Sequence, residues 1–257
     1  MPNGKQKISM ISKNQIKFIH SLEQKKIRDR EGLFIAEGPK TVADLMSIYE
    51  PVELYATEEW FDKRPTIKQH CTQITEDELH KISFLKHPQQ VLGVFPIPHN
   101  EIDYNICQNE LCLALDGVQD PGNLGTIIRI ADWFGISTIF CGEGTADAFN
   151  PKVVQATMGS IARVKIVNVN LCELLDKLPN SIPTYATSLN GRNIYDQQLS
   201  TNGLIIMGNE GNGISSEVMS KVNHTILIPN YSQTNGIDSL NVAIATALTC
   251  AEFRRNK

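Results

Sequence analysis

A chain of 257 residues, 41% hydrophobic and 20% charged, has the length for two domains or one large α/β domain and the apolar content of an ordinary globular core. Its formal net charge of −4 argues against a uniformly basic nucleic-acid binder, and no apolar run nears the length that crosses a bilayer. The six cysteines (Cys71, Cys107, Cys112, Cys141, Cys172 and Cys250) form no Cys-x-x-Cys pair and residues 1–12 lack an apolar signal stretch, so reduced thiols in a cytoplasmic protein are expected, with no disulfide framework and no zinc site.

Helical spacing through Ile16, Ile19 and Leu22 predicts a first helix over residues 14–24. Residues 1–30 are basic: Lys5, Lys7, Lys13, Lys17, Lys25, Lys26, Arg28 and Arg30 are opposed only by Glu23 and Asp29. Such a segment is either a solvated helix face or a phosphate-contacting one. A strand over 33–36 closes at Glu37-Gly38-Pro39, and Pro39 suits the first turn of a helix through Val42, Leu45 and Met46. A strand at 52–56, a helix at 77–82 and a strand at 91–95 follow. Two prolines break periodicity over 96–105. The expected division is a small α/β domain at 1–99, a linker at 100–110 and a second domain at 111–257.

From residue 111 strands and helices alternate. Strands are predicted at 111–115, 138–141, 164–167, 184–187, 204–207 and 225–228, and helices at 124–134, 151–158, 172–178, 215–222 and 240–254. The alternation predicts an α/β class with a mostly parallel sheet covered on both faces.

Three segments of this second domain carry the chemistry. In the first, Leu124, Ile127, Ile128, Ala131 and Phe134 form one helical stripe, while Arg129 lies opposite with Thr126 and Trp133. Asn123 sits where it would cap that helix, and the structural alternative for Arg129 is an i,i+3 pair with Asp132. The second segment, Gly208-Asn209-Glu210-Gly211-Asn212-Gly213, follows a strand, the place where open α/β sheets bind ligands. Its spacing is not a dinucleotide fingerprint, and Glu210 would repel a pyrophosphate but suit a cation or hydroxyl donor. A plain glycine-rich turn with an exposed acid is the alternative. The third has Ile228-Pro229, a loop over 230–238, a capping Asp238 or Ser239, and a helix with Ala243, Ala245 and Ala247. Asn241 in its first turn is costly if buried without a partner, or else is a second cap.

In this order the three segments resemble the SpoU (TrmH-like) family of RNA ribose 2′-O-methyltransferases. Asn123 with Arg129 matches the first motif, Gly208, Glu210, Gly211 and Gly213 the second, and Ile228, Pro229 and Ser239 to Val242 the third. Met158-Gly159-Ser160 ahead of Ala162-Arg163-Val164 fits a lesser signature. Residues 28–38 resemble the family's ribosomal-L30e-like RNA-binding domain. Two departures stand out: the 230–238 loop is longer and lacks an early glycine, and Gln90 stands where many relatives have glycine.

The resemblance implies a SPOUT fold whose C-terminal segment forms a deep trefoil knot, binding S-adenosylmethionine. The implied cofactor contacts are Thr187, Ser188, Leu189, Met207, Gly208, Asn209 and Gly211, with Ile228, Pro229, Ser239, Leu240 and Ala243. It implies Arg129 as the key catalytic residue, oriented with substrate or cofactor by Asn123, Glu210 and Asn241. Because a guanidinium holds its proton tightly, Arg129 is expected to bind the neighbouring phosphate and stabilise a developing alkoxide rather than act as a literal base. Lys25, Lys26, Arg28 and Arg30 become candidates for gripping rRNA or tRNA. A homodimer through the second domain is implied, with no metal and no membrane. Two other functions compete: a catalytically silent RNA-binding relative acting in ribosome assembly, opposed by the intact Asn123, Arg129, Glu210 and Asn241, and a nucleotide-dependent oxidoreductase, opposed by the missing early Gly-x-Gly-x-x-Gly.

Overall fold

The computed structural model describes residues 10–64, 71–232 and 239–255. The chain forms two compact units, one comprising Met1–Pro98 with Phe149–Ala162, the other His99–Ala148 with Arg163–Lys257.

In the first unit, helices α1 (Lys13–Ser21) and α2 (Lys25–Glu31) precede β1 (Leu33–Glu37), α3 (Pro39–Met46), β2 (Glu53–Ala56), α4 (Glu58–Asp62), β3 (Cys71–Gln73), α5 (Glu76–Ile82) and β4 (Val91–Pro96). The strands form one sheet in the order β1-β4-β2-β3, with β4 antiparallel to both β1 and β2. Reciprocal capping boxes start α1 (Ser12 with Gln15) and α5 (Thr75 with Glu78), satisfying amides that a helix leaves free. Ile19, Leu22, Ile35, Tyr55, Leu79 and Leu92 meet in its core. Sequence periodicity missed α2, α4 and β3. Helix α2 (KKIRDRE) has a single apolar residue, so no stripe announces it. Gln90 takes the left-handed φ of 55°, the conformation that glycine adopts more cheaply.

The second unit holds an all-parallel sheet of β5 (Leu111–Asp116), β6 (Thr138–Cys141), β7 (Lys165–Asn168), β8 (Thr184–Asn193), β9 (Gly203–Gly208) and β10 (His224–Leu227), in the order β10-β8-β9-β5-β6-β7. Helices α6 (Pro121–Trp133), α8 (Leu171–Lys177), α9 (Ser216–Met219) and α10 (Val242–Arg254) belong with it. From β5 the chain runs outward through β6 and β7, whereas β9 pairs on the other side of β5. The carboxyl ends of β5 and β9 thus flank a switch point of strand order, where such sheets leave a crevice.

Two departures from expectation matter. Helix α7 (Pro151–Ala156), expected within the second domain, belongs to the first unit and packs on β1. Its Val153 and Val154 are buried, the Phe149 ring lies 5.0 Å from that of Phe34, and Lys40 Nζ donates to the Met158 carbonyl at 2.6 Å. Strand β8 is longer than its apolar run. Tyr185 and Ala186 pair with His224 and Thr225, and the register then jumps so that Arg192 and Asn193 face Ile226 and Leu227. Residues 187–191 are extruded between the two pairings. At Gly191 a Cβ would lie 2.5 Å from the Ile226 carbonyl carbon, so only glycine lets β8 return to β10.

Candidate active site

The extruded 187–191 segment, the turn after β9 and the segment after β10 enclose a cavity of about 460 Å³. Thr187, Ser188, Leu189 and Asn190 form one wall. Met207, Gly208 and the turn through Gly213 form the second, and Ile226 to Ile228 with Ser239, Leu240, Val242 and Ala245 the third. Of the expected cofactor residues, Thr187, Ser188, Leu189, Met207, Gly208, Asn209, Gly211, Ile228, Ser239 and Leu240 line it. Pro229 and Ala243 do not: Ala243 is buried in α10 with its N–H donated to Asn241 Oδ1 at 3.0 Å. Asn190, Asn212 and Met219 were missed; the register jump that brings Asn190 in has no mark in the local hydropathy.

The turn after β9 is locked from within. Asn209 and Gly213 exchange backbone hydrogen bonds of 2.9 and 3.0 Å. Asn209 Oδ1 accepts from the Gly211 and Asn212 amides, and its Nδ2 donates to the Gly117 carbonyl at 2.7 Å. Any side chain at Gly208 would stand 2.3 Å from the Gly213 carbonyl carbon, so this glycine is what lets the turn fold back so tightly.

Beside the cavity, which Glu210 lines and Asn123 and Asn241 do not, three distant residues form one hydrogen-bonded chain. Asn241 Nδ2 donates to Asn123 Oδ1 at 2.9 Å, and Asn123 Nδ2 donates to Glu210 Oε1 at 3.0 Å. Glu210 also accepts from the Gln119 and Asp120 amides, each at 3.3 Å. Asp120, not Asn123, caps α6, accepting the Asn123 N–H at 2.8 Å ahead of Pro121 in the first turn. That frees the Asn123 side chain for Glu210. Likewise Asn241, rather than Ser239, is the N-cap of α10, accepting from the Ala243 and Ile244 amides; Asp238 lies outside the described residues, as does the rest of 233–238. Partial burial pushes the Glu210 carboxyl up, but the bonds from Asn123 and the backbone amides outweigh it and leave its pKa below the ordinary 4.5.

Arg129 does not join this chain. It is exposed on α6, about 9 Å along the axis from Asn123 at 1.5 Å per residue, does not line the cavity, and its side chain makes no hydrogen bond or ion pair with a described residue. Its expected partner Asp132 pairs instead with Arg163 at 2.7 Å. Leu124, Ile127, Ile128 and Ala131 face inward, Phe134 is half-buried, and Thr126, Arg129 and Trp133 face outward.

The predicted RNA-contacting set disperses. Arg28 is buried, its Nη1 donating to the carbonyls of Leu22 and Glu23 at 2.7 and 2.6 Å; it ties down the end of α1 and presents no charge to solvent. Lys25 pairs with Asp29 and Arg30 with Glu31, leaving Lys26 exposed without a recorded partner. Among the described residues no cluster of three or more His, Cys, Asp or Glu is arranged to hold a metal, and no helix is long and apolar enough to cross a membrane. All six cysteines are free thiols.

A parallel sheet with a ligand-sized cavity at its carboxyl edge, beside a fixed carboxylate, is the layout of an α/β enzyme built around an organic ligand. Residues 110–251 match the SpoU rRNA methylase family and residues 13–93 the MRM3-like substrate binding domain. The chain belongs to the SpoU rRNA methylase family, as its three motifs led us to expect. It is similar to the Bacillus subtilis 23S rRNA (guanosine(2553)-2′-O)-methyltransferase RlmP, with 32% identity across 95% of this chain and 97% of that protein. Two solved structures extend the likeness to the fold. An RNA methyltransferase of the TrmH family from Porphyromonas gingivalis has a TM-score of 0.86 and 39% identity over 97% of this chain and 100% of that one. An AdoMet-bound rRNA methyltransferase from Sinorhizobium meliloti has a TM-score of 0.83 and 31% identity over 98% of each.

Proposed function

We propose that the protein transfers a methyl group from S-adenosylmethionine to a ribose 2′-hydroxyl of ribosomal RNA. The observation that carries this reading is the Asn241–Asn123–Glu210 chain, which reaches the cavity through Glu210 and joins the three family motifs. The rRNA substrate rests on the likeness to RlmP along nearly the full length of both chains.

The residues present fit the cofactor. The cavity volume is in the range of small-molecule sites, about 300–1,000 Å³. Its walls mix apolar side chains (Met207, Ile226, Leu240) with the polar backbone of the Gly208–Gly213 turn. Glu210, ionised at the rim, suits a cationic sulfonium and disfavours a pyrophosphate. When bound there, S-adenosylmethionine supplies an activated methyl on sulfur. The protein must then align acceptor oxygen and methyl and ease loss of the hydroxyl proton. Asn123 and Glu210 hold the rim in a fixed arrangement, and Arg129, permanently charged, binds the phosphate next to the target ribose and stabilises negative charge gathering on the 2′-oxygen.

Arg129 shares its exposed face of α6 with Trp133, 84% exposed, and α10, packed beside α6, exposes Ile244 and Leu248. This exposed face of α6 and α10 is a homodimer interface in our reading, and a two-fold contact through it carries Arg129 toward the partner's cavity. The same reading assigns the C-terminal segment a trefoil knot, the first unit an L30e-like fold, and the enzyme to the cytoplasm, in keeping with its free thiols. The test is Arg129→Ala with tritiated S-adenosylmethionine and unmodified rRNA: methyl transfer falls at least about 100-fold, the scale of losing one preorganised charge partner, while cofactor affinity measured by calorimetry stays near wild type. Undiminished turnover rejects the assignment of Arg129.

A further inference from the structure

Exposed lysines and histidines gather on a face of the first unit of which the sequence singled out only Lys17. Lys17 and His20 lie three residues apart on α1, hence on one side of it. His20 Nε2 sits 2.8 Å from the Lys81 carbonyl at the end of α5, and its ring packs edge-on against Phe84 with centroids 5.3 Å apart. Lys86 and His87 follow Phe84 in the turn before β4. All five side chains, three lysines and two histidines, are exposed, and none forms an ion pair with a described residue.

Two carboxylates beneath this face, Glu37 and Glu78, are turned inward, while Asp77 on α5 and Glu23 just past α1 stay exposed at its border. Glu37, at the end of β1, is 5% exposed; it accepts from Ser83 Oγ and from the Phe84 amide at 2.9 Å. Ser83 Oγ in turn accepts the Leu85 amide at 3.0 Å. Glu78, one turn before Lys81, is also buried and accepts from Thr75 and from the Ile11 amide. These bonds hold the 83–85 turn, whose Phe84 packs on His20 and from which Lys86 and His87 continue, while hiding these two carboxylates from solvent. On α2 the arrangement is the reverse: one arginine is buried and two cations are neutralised by neighbouring acids.

We propose that substrate RNA is held by its phosphates on the face formed by Lys17, His20, Lys81, Lys86 and His87, and not on α2. The inference rests on the reading of this protein as an RNA methyltransferase and goes further by assigning the docking surface. A cluster of exposed lysines outside any ion pair is what a phosphate backbone selects, because each contact releases condensed counterions, whereas a lysine already paired with an aspartate releases fewer.

The test uses the full-length protein and an unmodified 23S rRNA transcript in filter binding across a salt series. The triple variant Lys17→Ser, Lys81→Ser, Lys86→Ser is expected to bind at least about tenfold more weakly, with a log–log salt slope smaller by about two, since each phosphate contact contributes roughly 0.7–0.9. The triple variant Lys25→Ser, Lys26→Ser, Arg30→Ser is expected to stay within about twofold of wild type. Melting temperature and S-adenosylmethionine affinity, unchanged in both, establish that the fold is intact. An equal or larger loss from the α2 variant overturns the proposal. If wild type itself neither retains nor methylates the transcript while still binding S-adenosylmethionine, the rRNA reading fails instead, and the same pair of variants tested on bulk tRNA decides the face.

Discussion

The Asn241 side chain divides its two ends between different tasks: its oxygen caps α10 and its nitrogen donates to Asn123. Asn241→Asp keeps the cap acceptor and loses the donor, so the two tasks can be separated. The variant is expected to melt close to wild type while methyl transfer falls at least about tenfold, the cost of a lost hydrogen bond and of a carboxylate now facing the Asn123 oxygen. Asn241→Ala removes both, and a stability loss of about 1 kcal/mol should accompany the loss of activity in a thermal melt. Glu210 carries a pH prediction. Its folded pKa is depressed below 4.5, so its contribution to stability is complete above 4.5 and disappears only as pH falls through the lower folded value. The rim chain therefore keeps one protonation state from neutral pH down to that point. Carbon-13 carboxyl titration should place the Glu210 midpoint below 4.5; a midpoint above it contradicts the hydrogen-bond count. At this scale the sequence was informative about identity and less so about role. Asn123, Glu210 and Asn241 were each legible as unusual, but that Asp120 takes over the capping of α6 and frees Asn123 is a matter of one residue in helix phase, beyond what spacing decides.

Among elements, the strands of the parallel sheet were the readable part, because burial on both faces gives uninterrupted apolar runs such as Leu204-Ile205-Ile206-Met207. Strand β8 was half readable: its first residues are apolar, but the returning Arg192 and Asn193 are polar and pair only because Gly191 permits the approach to Ile226. Gly191→Ala tests that device. A methyl group 2.5 Å from backbone atoms forces β8 and β10 apart, at a cost of about 1–3 kcal/mol, and displaces the cavity wall formed by 187–190. The expected result is a lower melting temperature together with weaker S-adenosylmethionine binding by calorimetry, whereas unaltered affinity would separate the bulge from the cofactor site. Short polar α2 and three-residue β3 lie below what periodicity detects; tertiary packing, through buried Arg28 in one case and pairing with β2 in the other, decides them.

For the molecule as a whole, linear order and compact units do not coincide. A boundary near the prolines of 96–105 was visible as a break in periodicity, but the return of 149–162 to the first unit was not, since an amphipathic helix does not declare which sheet it covers. A polypeptide of residues 1–98 lacks α7 and Phe149, exposing Phe34 and the flank of β1. It is expected to show a broadened, less cooperative melt by near-ultraviolet circular dichroism, and a synthetic 149–162 peptide should sharpen it. A fully cooperative melt without the peptide would make α7 dispensable.

The detour at 149–162 also fixes a timetable for the nascent chain. A ribosome releases β1 early, yet the residues that cover it emerge only after β5, α6 and β6 have been made. Vectorial synthesis therefore leaves the amino-terminal half unfinished while the carboxyl-terminal half begins to assemble, and premature termination anywhere before codon 162 yields no completed globule from either half.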